Sequence, residues 1–275
     1  GTSGVMRIDN VRNAFVEDIT IQNGSSDRGG GVYIRKSNSV FRNVAINDNL
    51  SHKGGGVFIE RSYVRFENTE IKNNTSDLGM GGGIFSVLSL IDLDSVVVDN
   101  NRSEASYSHG GGIFCYNSQV NLFNSSSLEG NECAGEYRYG GGICIFNSLG
   151  SSYKFNATDI IINNNEALYG GGIALMNCAG SINKSVISNN FAGFGAGIFL
   201  LDSNPIITNT TIVQNHSQLE GGGISFGGDQ PINDELSIVN TILWDNSPHQ
   251  IGIHGDSRHL EIVYSTLMDS IYVLS

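Results

Sequence analysis

A short motif, three glycines followed by Val or Ile, recurs along the chain and constrains its fold more than any other feature. The apolar residue of the motif falls at Val32, Val57, Ile84, Ile113, Ile143, Ile173, Ile198 (after Gly-Ala-Gly) and Ile224, and a degenerate ninth copy ends at Gly252 and Ile253. Self-similarity at a period of roughly 20 to 50 residues is typical of solenoids, propellers and other repeat architectures. The chain is therefore expected to be built from repeated units.

Two further columns run in phase with the glycine motif. An Asn follows an aliphatic residue by three positions at Asn49, Asn74, Asn101, Asn131, Asn165, Asn190, Asn215 and Asn246. Five residues beyond each Val or Ile the chain has Ser37, Ser62, Ser89, Ser118, Ser148, Cys178 and Ser203. Asn side chains can hydrogen-bond turn amides, and glycine permits positive φ and close backbone approach. We interpret these columns as the corners of the repeat.

The repeat length and its alternation predict the fold class. A spacing of about 25 residues is too short for a propeller blade, and no helical period is present. Segments such as GVYIRKS and GIFLLDS alternate, so the Val or Ile and the residue two positions later should face a core. The sequence predicts an all-β solenoid, a parallel β-helix of nine to ten coils with three short strands each.

The residue after each Val or Ile should point away from that core. It is aromatic at Tyr33, Phe58, Phe85, Phe114 and Phe199. We therefore expect an exposed aromatic stripe, and contiguous exposed apolar surface usually marks an interface. Packing of rings between coils, or a loop or partner that covers them, is the alternative.

Charge restricts the partners. The 275 residues have a net charge of −12, with ten basic and eight acidic residues in 1–75 and five against nineteen thereafter. Nucleic acid and anionic membrane surfaces are therefore unexpected partners, because they attract clustered Lys and Arg. Neither a membrane-spanning apolar run nor a signal-peptide pattern is seen in the sequence. We expect a single domain over 1–275, with a capping segment in 1–20 and a last coil in 254–275 that a further domain or another chain covers.

The repeats carry a family resemblance. The GGGI triplets, the F-x-N segments at 41–43 and 66–68 and the closing segment at 240–251 resemble right-handed parallel β-helix repeats of bacterial secreted and cell-surface proteins. They are also similar to the repeats of chlamydial polymorphic outer-membrane proteins. The resemblance implies a right-handed, pectate-lyase-like solenoid outside the cell. Enzymes, adhesins and structural spikes share this architecture, so fold alone does not give function.

Candidate binding residues lie where the repeat lengthens. Nine positions separate Asn101 from Gly110 and Asn131 from Gly140, against five between Asn49 and Gly54. Insertions in a solenoid collect on its binding face. The two loops, 102–109 and 132–139, together with the next coil supply the candidate ligand-binding residues Tyr107, His109, Glu136, Tyr137, Arg138, Tyr139 and Tyr169. Aromatic and charged side chains of this kind suit a saccharide.

Catalysis by these loops stays open as an alternative. A glycosidase needs two carboxylates, for which Glu104 and Glu136 are the candidates, and His109 could act as an acid or base. The lyases of the resembling fold class commonly use a Lys or Arg base, a role that Arg138 could take. The cysteines and histidines lack zinc spacing, so no metal site or cofactor is predicted. Calcium at acidic turn residues such as Asp99 and Asp202 remains open.

These observations favour a non-catalytic scaffold at the cell surface or outside the cell. Its expected partner is a polysaccharide or a surface protein, and further domains of the same chain are expected. A polysaccharide lyase or glycoside hydrolase acting beside the two loops is the first alternative. A tailspike-like or self-assembling fibre is the second.

Overall fold

The computed structural model describes residues 4–228, 235–254, 259–268 and 271–274. Over these ranges the chain is an all-β solenoid of about ten turns without a helix. Each turn contributes one strand to each of three long sheets, and successive turns pair in parallel. The predicted parallel solenoid is confirmed, while its right-handed winding stays a prediction.

The strands of the three long sheets are as follows. Sheet 1 contains Met6–Asp9, Val32–Arg35, Val57–Glu60, Ile84–Val87, Ile113–Tyr116, Ile143–Phe146, Ile173–Met176, Ile198–Leu201, Ile224–Gly227, Ile251–His254 and Ile271–Leu274. Sheet 2 contains Ala14–Glu17, Asn38–Arg42, Tyr63–Glu67, Leu90–Asp94, Gln119–Phe123, Lys154–Thr158, Ala179–Asn183, Asn204–Thr208, Glu235–Val239 and His259–Val263. Sheet 3 contains Thr20–Gln22, Ala45–Asn47, Glu70–Lys72, Val97–Asp99, Ser127–Glu129, Ile161–Asn163, Val186–Ser188, Thr211–Val213, Ile242–Trp244 and Thr266–Leu267.

A fourth row of short strands, the lateral strip, lies between sheet 3 and the glycine triplets. It contains Ser25–Arg28, Leu50–Lys53, Thr75–Met80, Arg102–Glu104, Tyr107–His109, Glu132–Ala134, Tyr137–Tyr139, Phe191–Phe194 and His216–Glu220. Single bridges through Glu166 and Tyr169 connect the last two strands to the others. The prediction of three strands per turn is therefore incomplete, because the segment entering each triplet also pairs with its neighbours.

The inside of the solenoid is one apolar core. The Val or Ile of each glycine motif and the residue two positions later are buried without measurable exposure at Val32, Ile34, Val57 and Ile59, as predicted. Ile46 and its equivalents fill the side formed by sheet 3. One register differs from prediction. Ile251, and not Ile253, pairs with Ile224, so the ninth copy begins two residues earlier than the glycine at 252 suggested.

The described parts of both terminal segments pair with the regular stack. Met6–Asp9, within 1–20, pair in register with Val32–Arg35, and the capping role of this segment stays a prediction. Within 254–275, His259–Val263 and Ile271–Leu274 likewise continue sheets 2 and 1.

A continuous row of buried Asn side chains forms one corner of the solenoid. The Nδ2 group of each Asn donates to the Oδ1 atom of the Asn in the next turn, at 2.9–3.0 Å from Asn49 through to Asn246. The same Nδ2 group donates to a backbone carbonyl of the preceding turn, as Asn131 does to Val98 at 2.9 Å. The Nδ2 donor and the Oδ1 acceptor of each amide are both hydrogen-bonded, so this polar group can be buried in the interior.

Left-handed backbone precedes the buried corner residues. The positive φ angles belong to the residue before the ladder, such as Asp48 (55°) and Asn73 (54°), and not to the ladder Asn itself. At a second corner, the backbone N–H groups of Ser37, Ser62 and Ser89 each donate to the hydroxyl oxygen of the serine in the next turn, at 3.1 Å. In the fifth coil the serine prediction is wrong: Ser148 is exposed, and the preceding Asn147 is buried instead.

The glycine triplets meet two different demands. The first glycine has positive φ, 64° at Gly54 and 62° at Gly110, a conformation that costs a side-chain-bearing residue energy. The second glycine lies against the backbone of the next turn, so that a Cβ atom on Gly82 would overlap the carbonyl oxygen of Gly111.

The ladder gives a stability prediction. In Asn131→Ala, the backbone N–H and Nδ2 group of Asn101 lose their acceptor at 3.0 Å, and the Val98 carbonyl loses its donor. Each buried group left without a partner costs about 1–3 kcal/mol. We expect the free energy of unfolding in urea to fall by roughly 3 kcal/mol or more. The exposed Asn204→Ala is the matched control and should change it by less than about 0.5 kcal/mol; equal effects would contradict this role of the ladder.

Candidate ligand-binding ridge

The two long loops predicted as candidate sites are paired strands of the lateral strip. Tyr107–His109 pairs with Tyr137–Tyr139, which places Tyr107 opposite Tyr137 and His109 opposite Tyr139. Arg102–Glu104 pairs with Glu132–Ala134 in the same way. We call residues 102–109 and 132–139 the ridge. Its side chains therefore form rows along the solenoid axis.

Two rows of rings run along the ridge. In the outer row, Tyr107 and Tyr137 stack with centroids 4.8 Å apart and are 65% and 45% exposed. In the inner row, Tyr139 stacks on His109 at 5.4 Å and on Tyr169 at 4.8 Å. Parallel strands bring equivalent rings to about the 4.8 Å spacing between strands. The rings are consequently held in fixed positions by one another.

The buried face of the ridge explains why it is ordered. Ser108 points inward between the two rows and has no measurable exposure. Its hydroxyl donates to the Ala134 carbonyl and lies 3.1 Å from the Cys133 sulfur. Alternation in the strand Tyr107–His109 thus buries Ser108 and directs Tyr107 outward.

The aromatic stripe of sheet 1 is buried, contrary to the expected exposure. Tyr33, Phe58, Phe85 and Phe114 are only 3–9% exposed, while Phe199 is partly exposed. Their rings pack against one another between turns with centroids 5.3–5.4 Å apart, stacked except for the tilted pair Phe58 and Phe85. These aromatic rings pack on one another between turns and lie under a covering segment, as in the alternative to an exposed stripe.

The cover is the residue that directly precedes each glycine triplet. This column contains Arg28, Lys53, Met80, His109, Tyr139, Tyr169 and Phe194. The Arg28 guanidinium lies 5.4 Å from the Phe58 ring, and His109 stacks on Phe114 at 4.9 Å. Together with sheet 1 they enclose a second apolar cluster. The sequence signal for this cover is the long or aromatic side chain that precedes each glycine triplet.

The candidate catalytic residues are engaged separately. Glu104 accepts from Arg102 at 2.6 Å, and Arg102 also pairs with Glu132. Arg138 lies 3.6 Å from Glu166, and Glu136 is exposed without an ion-pair partner among the described residues. No hydrogen bond or ion pair within the described chain joins any two of Glu104, His109, Glu136 and Arg138.

His109 is shielded from solvent by its ring neighbours. Burial between Phe114 and Tyr139 lowers the pKa of its imidazole, because the charged form loses solvation. The neutral ring is thereby favoured, and it packs as an aromatic group. Its observed contacts serve the inner row of rings.

The four cysteines, Cys115, Cys133, Cys144 and Cys178, are buried and unpaired. Burial raises the pKa of Cys133 and of Cys178 to about 12, so their reactive thiolate forms are suppressed. Within the described ranges, no group of three His, Cys, Asp or Glu side chains could hold a metal ion. Burial raises the pKa of Asp99. Calcium at Asp99 or Asp202 stays the untested alternative to the prediction of no metal site.

Comparisons with known proteins leave the family open. No family model matches the chain, and no curated protein matches it. The solved structures include a crystal structure described as a TibC-catalyzed hyper-glycosylated TibA fragment, with 13% identity, 98% of this chain and 97% of that chain covered, and a TM-score of 0.25. That score carries no argument about this protein. The described residues contain no helix long and apolar enough to cross a membrane.

The pKa values of two histidines in the lateral strip should be shifted in opposite directions. A 2.7 Å contact with Asp77, aided by the charge of Asp27, raises the pKa of His52, whereas burial lowers that of His109. His52 therefore favours the folded state below its unfolded pKa of about 6.5, and this contribution is lost as pH rises through the raised value. His109 favours the folded state above about pH 6.5, and that contribution is lost as pH falls.

NMR titration of the two imidazoles provides the measurement. His52 should titrate above, and His109 below, the ordinary value of about 6.5. Asp77→Asn should return His52 toward that value and leave His109 unchanged. Titration of both rings at the same pH would show that the described environments are wrong.

Proposed function

We propose that this β-solenoid is a non-catalytic scaffold that binds a polysaccharide along the ridge, at the cell surface or outside the cell. The observation that carries the proposal is the stacked, exposed pair of Tyr107 and Tyr137. Exposed rigid aromatic surface of this kind suits the apolar faces of sugar rings. A surface protein is the other partner class that such a surface could bind.

Charged side chains beside the two rings supply the polar contacts. Arg102 forms ion pairs with Glu104 and Glu132, and Glu136 directly precedes Tyr137 in the chain. Carboxylates and guanidinium groups are good partners for sugar hydroxyls. Because carboxylates outnumber bases here and residues 76–275 have five basic against nineteen acidic residues, a neutral glycan fits better than a polyuronate.

The solenoid supports this function mechanically. Each turn contacts its neighbours through three sheets and the lateral strip, so the ridge is carried on regular strands. A binding surface that is already ordered does not lose conformational freedom when the ligand binds. The ridge therefore binds the glycan, and the other turns of the solenoid serve as a rigid spacer.

The contacts of the candidate acids favour binding over catalysis. A glycosidase requires one carboxylic acid kept protonated opposite a second carboxylate, but Glu104 is bonded to Arg102. A lyase requires a free base, but Arg138 faces Glu166 at 3.6 Å. We expect the protein to release neither unsaturated nor reducing ends from neutral or acidic polysaccharides. Release that is abolished by Glu136→Gln or Arg138→Ala would instead establish the enzymatic alternative.

Binding by the ridge is tested with a glycan array followed by calorimetry on the best glycan. The double variant Tyr107→Ser/Tyr137→Ser should weaken affinity about tenfold or more, because each aromatic contact contributes roughly 0.5–1.5 kcal/mol. Tyr116→Ser removes an exposed ring on another surface, where Tyr116 contacts Phe146, and is the matched control. Absence of any glycan hit, or equal loss in the control, would refute binding at the ridge.

A further inference from the structure

The inner row of rings ends at a pocket. Tyr169 stacks on Phe194 at 5.2 Å, but the register partner of Phe194 in the next turn is Glu220 and not another ring. A cavity of about 320 Å³ opens at this place. It is lined by Tyr169, Phe194, Phe199, Leu200, Leu201, Gly227, Gly228 and His254. This volume lies at the lower end of the range of about 300–1,000 Å³ for ligand pockets.

Aromatic rings form one wall of the pocket. Phe199 lies 5.1 Å from Tyr169 with its plane tilted by 54°, so the two rings are not fully covered by one another. The edge of His254 approaches Phe194 at 6.3 Å. Gly227 also lines the pocket, and a Cβ atom there would lie 2.8 Å from the Cβ atom of His254. The missing side chain therefore lets His254 pack closely against this strand.

A buried carboxylate stands behind this wall. Glu220 is 7% exposed, and its Oε1 atom lies 3.0 Å from Nε2 of His254. Its Oε2 atom is buried without a hydrogen-bond partner. The Ser225 hydroxyl also contacts His254 Nε2, at 3.2 Å. A buried polar atom without a partner is rare and calls for a physical explanation.

Charge and ring chemistry together select a class of ligand. Among the described residues, those that line the pocket include no Lys or Arg, and the negative charge of Glu220 acts across a wall of low dielectric. Aromatic faces attract organic cations through the negative face of the ring quadrupole. We propose that this pocket binds an organic ammonium group. The ammonium can belong to an amino sugar, to a lysine side chain or to a small amine, since all three present the same charge to the rings.

This inference is independent of glycan binding at the ridge. The pocket is bounded by turns that follow the ridge, and neither Tyr107 nor Tyr137 lines it. Failure of one proposal leaves the other intact. The tyrosine double variant should therefore still bind an ammonium probe in the pocket.

The test compares choline with its uncharged isostere 3,3-dimethyl-1-butanol, using calorimetry and NMR shifts of the His254 ring. We expect saturable choline binding and at least tenfold weaker binding of the neutral analogue. Glucosamine against glucose, and Nα-acetyl-lysine amide against its Nε-acetylated form, separate the amino-sugar and lysine sources. Equal binding of charged and neutral members of the choline pair would overturn the proposal.

Two substitutions locate the site. Glu220→Gln keeps the shape and removes the charge, and should weaken choline binding at least tenfold, whereas the exposed Glu70→Gln is the charge-matched control. Phe199→Leu should also weaken binding, which keeps the test decisive if Glu220→Gln fails to fold by circular dichroism. Unchanged affinity in a folded Glu220→Gln or in Phe199→Leu, or no binding of any ammonium probe, would refute the assignment.

Discussion

From Asn49 to Asn246, successive turns of this solenoid each place one side-chain amide in the interior and bond it to the amide of the next turn. In the row from Asn49 to Asn246, the Nδ2 and Oδ1 atoms of the amides bond to one another, and the Oδ1 atoms also accept from backbone N–H groups of the neighbouring turn. Because an unpaired amide would be costly in this apolar environment, every turn must align with the next. Strand register, the in-register apolar columns and the straight rows of surface side chains all depend on that alignment.

A second apolar layer outside the solenoid depends on the same alignment. The lateral strip covers the outward column of sheet 1, and large and small residues complement each other across it. Where sheet 1 carries the small residues Cys144 and Ala174, the cover supplies Tyr139, which packs against the same apolar cluster, and Tyr169, which stacks on Tyr139. The rings that complete this layer include the inner row of the ridge. Function is therefore proposed where the cover either extends outward, at Tyr107 and Tyr137, or ends, at Glu220.

Much of the fold was predictable because it repeats. Alternation around Val32 and Val57 correctly placed their side chains inward, and the Asn column correctly marked a corner. The predicted register was wrong where the repeat degenerates. Gly252 suggested that Ile253 is the equivalent of Ile224, but Ile251 is its partner. The predicted exposure of Phe58 and Phe85 was also wrong, because alternation distinguishes the two faces of a strand but not what covers the outer one.

The sequence by itself determined the periodicity, the parallel stacking and the identity of the buried columns, since each follows from a local pattern repeated at nearly constant spacing. Only the tertiary structure decided that the long segments at 102–109 and 132–139 are paired strands, that Glu104 is bonded to Arg102, and that Glu220 lies buried behind His254. These outcomes depend on contacts between residues in adjacent turns. Burial and the choice of ionic partner are properties of that three-dimensional neighbourhood, which the local pattern does not encode.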